Sequence, residues 1–167
     1  MSGPLPAPHI QTAIRMGASQ MCRLHGWAVL HEFGLPDRRR ADIMALTPQG
    51  HLVCIEIKSG LPDFRADHKW PDYLPWCDQL YFAVNQDFPH TVLPDTAGLI
   101  VAATGRGADD RPTCVDCALI RPAPHIPLAP ARRRSLTLRF AMQAAERLGR
   151  TEMPQLDQTL RTALRVE

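Results

Sequence analysis

Two apolar runs on either side of a turn signal constrain the fold of this chain more than any other feature. The runs cover residues 41–46 and 51–59, and Thr47-Pro-Gln-Gly50 between them is typical of a turn. We therefore expect two antiparallel strands joined as a hairpin. Asp42 lies seven residues before Gln49 and Glu56 lies seven residues after it. Folding about Gln49 thus places the two carboxylates opposite one another, with about 5 Å between their Cβ atoms.

Side-chain alternation along the second strand adds a lysine to this pair. Lys58 shares a face with Glu56 because successive strand side chains point to opposite sides. Only two of the nineteen basic residues are lysines, and lysine, unlike arginine, has a pKa that its surroundings can move. The face that carries Val53, Ile55 and Ile57 should pack into a core. The opposite face, which carries Leu52, Cys54, Glu56 and Lys58, should line a surface.

The paired carboxylates of Asp42 and Glu56 favour a metal site, because like charges at this distance repel unless a cation lies between them. Oxygen ligands from these two residues and from the Ile57 main-chain carbonyl suit magnesium, with manganese as a substitute. Lys58 would then orient or help to deprotonate a metal-bound water, or offset charge that develops on a phosphate. The structural alternative is a cross-strand charge network at a sheet edge.

The residues Ala41-Asp42 and Ile55-Glu56-Ile57-Lys58 resemble the signature of the PD-(D/E)XK nuclease superfamily, with Ala41 in place of the usual proline. A leading helix, three strands, and the segments 67–73 and 77–84 extend the resemblance to the MmcB-like DNA repair proteins, over roughly residues 8 to 148. The resemblance implies an α/β, restriction-endonuclease-like core with a mixed central sheet flanked by helices. It also implies a metal-dependent nuclease with a role in DNA repair, although some members of the superfamily have lost activity.

Three further residues are candidate accessory groups. Many relatives carry a glutamate on the first helix, but residues 1–31 contain no Asp or Glu. Glu32 is the nearest substitute, and its alternative role is that of a plain strand-end carboxylate. Lys69 and Tyr73 resemble a variant of a Gln-x-x-x-Tyr element, which would bring Lys69 to a phosphate; the alternative is a surface lysine near a packed tyrosine.

Basic residues are clustered rather than spread over the chain, since the formal net charge is only +2. Arg38, Arg39 and Arg40 immediately precede Asp42, where a nucleic-acid backbone led to the metal would meet them. Together with what the resemblance to DNA repair proteins implies, this indicates DNA as the partner. For Arg132-Arg-Arg134 a solvated face is favoured, and for Trp70 and Trp76 packing is favoured over stacking on bases.

The organisation is that of one domain, since 167 residues with 45% hydrophobic content can bury a sizeable core. We assign residues 1–8 to a flexible segment, 9–150 to the nuclease-like domain and 151–167 to a helical extension. Helical periodicity starts at Ile10, and a second long helix covers 132–148 with Leu136, Phe140, Ala144 and Leu148 inward. Strands are predicted at 27–33, 41–46, 51–59, 79–84 and 98–103. A proline-rich connector follows at 121–130, and a short helix is predicted at 155–165.

The five cysteines and the absence of a long apolar run predict a cytoplasmic protein with reduced thiols and no membrane span. Cys114-Val-Asp-Cys117 is a weak zinc signal, because His125 is its only nearby partner and structural zinc takes four ligands. The glycines of 104–108 lack the spacing of a phosphate loop and predict an ordinary loop. We expect no small-molecule cofactor.

Two functions fit these residues. The first is a magnesium-dependent DNA endonuclease or exonuclease that acts in repair. The alternative is an inactive DNA-binding or scaffold module that retains the nuclease fold. Crowded carboxylates favour the enzyme, because a pure binder of a polyanion has no need of them. The residues leave open the DNA structure preferred and the oligomeric state.

Overall fold

A computed structural model describes residues 5–153. In chain order the elements are α1 (Ala7–Leu24), β1 (Ala28–Gly34), β2 (Arg40–Leu46), β3 (Leu52–Lys58), α2 (Leu61–Ala66), a 3-10 helix (Trp70–Trp76), β4 (Gln79–Asn85), a short 3-10 turn (His90–Val92), β5 (Gly98–Arg106), β6 (Pro112–Arg121) and α3 (Pro130–Glu152).

The strands form one six-stranded mixed sheet in the order β1-β2-β3-β4-β5-β6. Pairing is antiparallel from β1 to β3, parallel from β3 to β5, and antiparallel again between β5 and β6. α1 packs on one face of the sheet through Ile14 and Ala18, while α3 packs on the other through Leu136 and Phe140. The expected mixed sheet with flanking helices is confirmed.

The predicted hairpin forms with the register that the sequence indicates. Ile43 pairs with Ile55 and Leu46 with Leu52, so the two strands are symmetric about Gln49. The turn closes through a hydrogen bond of 2.9 Å from the Gly50 amide to the Thr47 carbonyl, and Gly50 adopts a φ of 80°, which favours glycine.

The expectation that one face of β3 lines a surface was wrong, since every residue of β3 is buried. Val53 and Ile55 pack under α1, and Leu52 and Cys54 pack in a second core that includes α3 and the 3-10 helix. β3 is an inner strand with a parallel neighbour, and such strands are usually covered on both sides. The charged end of β3 therefore lies inside the protein.

Strand β6 was not predicted, because none of its residues is fully buried and its pattern shows no alternation. It forms because β5 continues to Arg106, through the first half of the loop expected at 104–108, and supplies a backbone partner. A register shift leaves Val115 unpaired, since Thr104 pairs with Cys114 and Ala103 with Asp116. Cys114 and Cys117 thereby face α1 together at Gly17, where a side chain would collide with the Cys114 sulfur.

The element ends extend beyond the expected boundaries. α1 begins at Ala7, ahead of the domain start assigned to residue 9, and α3 continues to Glu152. Leu148, expected to face inward, is exposed, and only Leu136 and Phe140 of α3 are buried. The helix predicted at 155–165 lies outside the described residues.

Among the helices within 5–153, none is long and apolar enough to cross a membrane.

Asp78 joins the sheet to α3 and to the connector before it. Its side chain is fully buried and accepts hydrogen bonds from the amides of Leu52 (2.8 Å) and Leu128 (2.9 Å) and from both terminal nitrogens of Arg133 (2.8 and 2.6 Å). Arg133 also donates to the carbonyl of Gly50 in the hairpin turn, at 2.9 Å. Burial opposes ionisation, but these donors outweigh it and hold the pKa of Asp78 below its usual range.

We predict that Asp78→Asn lowers the free energy of unfolding by about 2 to 4 kcal/mol, because Arg133 then lacks its anionic partner in a largely buried position. A depressed carboxyl pKa stabilises the fold above the unfolded-state pKa near about 3.9 and ceases to do so as pH falls through the folded-state value. Urea denaturation between about pH 2.5 and 7 should therefore show an acid-dependent loss of stability that is larger in the wild type than in the variant.

Asp95→Asn is the matched control, since Asp95 is exposed and its ion pair with Arg121 contributes little. Equal unfolding free energies for wild type and Asp78→Asn would contradict the role assigned to Asp78.

Candidate functional site

Asp42 and Glu56 meet just beyond the last paired residues of the β2–β3 hairpin, Ile43 and Ile55. The Asp42 amide donates to Oε1 of Glu56 at 3.3 Å, and the Ile57 amide donates to Oδ2 of Asp42 at 2.8 Å. Each carboxylate thus accepts a main-chain hydrogen bond from the opposite strand. The structure brings these two predicted residues together in the way that the hairpin symmetry indicates.

Both carboxylates are difficult to ionise in this position. Burial and the charge of Asp42 raise the pKa of Glu56 to about 8. Burial also raises the pKa of Asp42, although the amide of Ile57 and the charge of Lys58 oppose the change. Glu56 is 4% exposed, so water screens the repulsion poorly. The pair has the electrostatics of a site that would gain from a further cation.

Lys58 lies beside the pair, buried at 5% exposure. Its Nζ is 4.0 Å from Oε2 of Glu56 and donates to Oδ2 of Asp67 at 2.6 Å. Burial disfavours the ammonium ion, but the hydrogen bond and charge of Asp67 outweigh it and hold the pKa of Lys58 above its ordinary value. Lys58 is therefore a fixed cation in this arrangement.

Asp67 was not predicted as a site residue, although it begins the segment 67–73 of the family resemblance. It lies between α2 and the 3-10 helix, where no periodicity fixes the direction of a side chain. Burial raises its pKa, but the hydrogen bond from Lys58 more than offsets this and holds the pKa of Asp67 below its usual range. Only a search for an acidic partner of a buried lysine could have pointed to it.

Glu32 lies opposite Asp42 in the sheet, since its neighbours His31 and Phe33 pair with Ile43 and Ala41. It adopts a left-handed backbone, with φ of 51°, which is uncommon for a residue other than glycine. Its carboxylate accepts a hydrogen bond from Arg15 of α1 at 2.7 Å and forms an ion pair with Arg40 at 2.5 Å. Glu32 thus lies next to Asp42 in the sheet, and its carboxylate is paired with two arginines.

Arg15, on α1, is a second residue that was not predicted to lie near the site. Its charge acts to lower the pKa of Asp42, and that of Glu32 acts to raise it. Where the resemblance implies a helix-borne glutamate, α1 supplies an arginine.

Side chains of α3 hold the unusual backbone of β1 in place. Arg147 donates to the carbonyls of His31 (2.5 Å) and Glu32 (3.1 Å). Gln143 bonds both the amide and the carbonyl of Gly34, at 3.2 and 2.9 Å. The outer edge of β1 is therefore bound by α3, on the side away from β2.

Lys69 and Tyr73 are not brought to the carboxylates in the expected way. Lys69 precedes the 3-10 helix and is exposed, so the two residues do not share a helical face. Tyr73 is buried, and its hydroxyl donates to the Arg40 carbonyl at 3.1 Å. Tyr73 thereby fixes the residue that begins β2, two positions before Asp42.

The three arginines before Asp42 have different surroundings. Arg39 is paired with Asp37 and Asp72, and Arg40 with Glu32. Within residues 5–153, Arg38 has no acidic partner, and it projects from a turn with φ of 70°. The cluster adjoins the site, and Arg38 is its member with uncompensated charge.

No group of three or more His, Cys, Asp or Glu side chains within residues 5–153 is arranged to hold a metal ion. A metal at Asp42 and Glu56 would therefore rely on two carboxylates, a main-chain carbonyl and water, which is the oxygen-rich set that magnesium accepts. His125 contacts His51, with tilted rings and 4.5 Å between their centroids, and Cys114 donates to the Asp116 carbonyl at 3.0 Å.

Comparisons with known proteins agree with the extent of the fold. A family model described as DNA repair protein MmcB-like matches residues 6–155. A solved structure titled SPO1766 protein of unknown function from Silicibacter pomeroyi is similar, with a TM-score of 0.77 and 38% sequence identity over 87% of this chain and 93% of that chain. None of the curated proteins matches the sequence.

We predict that the metal-free protein loses stability as pH rises from about 4.5 to about 8, because a carboxyl pKa raised on folding favours the protonated state. Glu56→Gln reduces this dependence and should be more stable than the wild type at pH 9 by roughly 2 to 4 kcal/mol. Urea denaturation at pH 5 and at about pH 9, with chelator present, measures the difference.

Glu146→Gln is the control, because Glu146 lies on the surface of α3 and pairs only with Arg150 among the described residues. Parallel pH profiles for wild type and Glu56→Gln would show that Glu56 ionises normally.

Proposed function

Because this chain belongs to the MmcB-like DNA repair family, we propose that it is a metal-dependent phosphodiester hydrolase that acts on DNA, built on a PD-(D/E)XK nuclease core. The observation that carries the proposal is the meeting of two buried carboxylates, Asp42 and Glu56, with the buried cation of Lys58 4.0 Å from Glu56. A structural ion-pair network would not need two carboxylates whose charges oppose one another. A phosphodiester hydrolase needs such a pair of carboxylates if a divalent metal neutralises their charges.

The strand arrangement supports a nuclease core. The hairpin β2–β3 supplies the carboxylates, and β3 continues into the parallel pairing with β4 that anchors its charged end. Asp42 and the pair Glu56 and Lys58 correspond to the acidic and basic positions of the superfamily signature.

Magnesium fits the residues present, and manganese would substitute for it. Asp42 and Glu56 would hold the ion, with the Ile57 carbonyl as a further ligand, and its charge would relieve the repulsion that raises the pKa of Glu56. When bound, the metal supplies Lewis-acid stabilisation of the phosphate and lowers the pKa of a coordinated water.

Lys58 acts in this proposal as a positioned cation. Its ammonium, held by Asp67, would stabilise negative charge that develops on the phosphate in the transition state. A lysine whose pKa is raised stays protonated. The role of a cation therefore suits Lys58 better than the role of a base that removes a proton from water. Asp67 acts through Lys58 and is a positioning residue.

Arg38 is proposed to contact the DNA backbone, with Arg39, Arg40 and Lys69 at the margin of the same surface. Arg39 and Arg40 are already paired with acidic side chains, so they contribute less net charge than their number indicates. Glu32 and Tyr73 are proposed as accessory residues. They shape the β1 and β2 backbone beside Asp42.

We predict that magnesium or manganese raises the melting temperature of the wild type and supports cleavage of labelled DNA, and that Asp42→Asn loses both effects. Loss of one carboxylate removes a ligand and half of the charge that attracts the ion. Thermal denaturation with and without metal, and gel assays on single-stranded, duplex, flap and junction DNA, measure the two responses.

Asp110→Asn is the control, because Asp110 lies in the β5–β6 turn with φ of 61°, which asparagine tolerates. Equal metal responses in wild type and Asp42→Asn would remove this site from the proposal. DNA binding without cleavage under any metal would instead favour a DNA-binding module with the same fold.

We predict that Asp67→Asn lowers the rate of metal-dependent cleavage by about 10- to 100-fold and leaves DNA affinity nearly unchanged. The amide cannot hold the ammonium of Lys58 as the carboxylate does, and misplacement of a catalytic group by about 1 Å costs a factor of this size. Single-turnover rates and binding constants for Asp67→Asn, beside Asp110→Asn, separate the two effects. A loss confined to affinity would contradict the positioning role.

A further inference from the structure

The first arginine of α3 stacks on a tryptophan from a different element. The Arg132 guanidinium lies 5.1 Å from the centre of the Trp76 ring, and it donates to the Pro75 carbonyl at 3.0 Å. This cation–π contact ties the start of α3 to the end of the 3-10 helix. Arg132 is exposed and Trp76 is half-buried, so the guanidinium face turned away from the ring is open to solvent.

Trp76 also joins Arg132 to the arginines before Asp42. The indole nitrogen donates to Oδ2 of Asp37 at 3.0 Å, and Asp37 accepts from the Arg39 amide at 3.0 Å. A continuous series of contacts therefore runs from the turn before β2, across Trp76, to α3. Two arginine clusters far apart in sequence form one surface, the Arg38–Arg132 surface, which comprises residues 37–39, Trp76 and Arg132.

Charge on this surface is uneven. Asp37 and Asp72 compensate Arg39 in its middle. Arg38 and Arg132, by contrast, have no acidic partner among residues 5–153. The uncompensated cations thus lie at the two ends, with the aromatic ring beside Arg132, and with Arg38 in the turn that leads into the strand of Asp42. A polyanion that follows the surface meets a cation at each end.

We propose that the Arg38–Arg132 surface binds a single-stranded segment of DNA, with an unpaired base stacked on the Arg132–Trp76 pair and the backbone led past Arg38 toward Asp42. This inference rests on the proposed function and names its substrate class. A guanidinium already stacked on an indole offers a planar cation to a further ring, and unpaired bases expose their faces for such stacking. Bases within a duplex do not, so only phosphates of a duplex could contact this pair.

Arg132→Lys and Arg132→Ala separate stacking from charge. The lysine keeps the cation but loses the planar group. We expect both variants to weaken binding of a labelled single-stranded oligonucleotide by about 5- to 100-fold. Binding of a blunt duplex of the same length should change by less than about threefold in Arg132→Lys. Fluorescence anisotropy at several salt concentrations, with chelator present to prevent cleavage, provides the binding constants.

Arg134→Ala is the matched control, since Arg134 is exposed in the same turn of α3 and is not stacked on Trp76. It removes the same charge and should weaken both DNAs alike. Trp76→Leu should reproduce the strand-selective loss, and Arg132→Lys carries the test if that variant fails to fold.

The outcomes distinguish this inference from the proposed function. If Arg132→Lys binds single strands as tightly as the wild type, or if Arg132→Ala and Arg134→Ala weaken both DNAs equally, the stacking site is overturned while DNA binding stands. If the wild type binds neither DNA, both proposals fail together.

Discussion

The buried carboxylate of Asp78 fixes the positions on which the rest of the fold depends. It accepts hydrogen bonds from the beginning of β3, the connector before α3 and α3 itself, and Arg133 extends the network to the hairpin turn. The Asp78 amide in turn donates to the Leu52 carbonyl at 2.7 Å. The starts of β3 and β4 are thereby locked side by side. The register of β3 follows, and with it the placement of Glu56 and Lys58 at the other end of the strand.

Buried carboxylates near the two ends of β3 have pKa values that are shifted in opposite directions. At Asp78 the negative charge meets four donors, and the pKa falls. At Asp42 and Glu56 the charges meet two amides and one lysine at 4.0 Å, and burial leaves the pKa of both raised. The first arrangement stabilises the fold, whereas the second lowers its stability in the absence of a further cation. This contrast between the surroundings of the two ends of β3 is what distinguishes a structural carboxylate from a candidate catalytic one.

The hairpin could be predicted because three local signals agree: a turn, two apolar runs and the equal spacing of Asp42 and Glu56 about Gln49. Residues whose place depends on long-range contacts could not. Asp67 meets Lys58 only because α2 turns the chain back over β3, and Arg132 meets Trp76 only because α3 packs across the sheet. β6 depends on pairing with β5 rather than on its own pattern. The burial of both faces of β3 likewise follows from its inner position in the sheet.

The hold of α3 on β1 has a consequence for association between molecules. The edge strand of a sheet normally presents free amides and carbonyls to which a foreign strand can add. On β1, Gln143 and Arg147 already occupy the main-chain groups of Gly34, His31 and Glu32. Strand addition on this side would first have to displace α3, so the edge nearest the carboxylates is protected against aggregation while β1 keeps the backbone that points Glu32 at its neighbours.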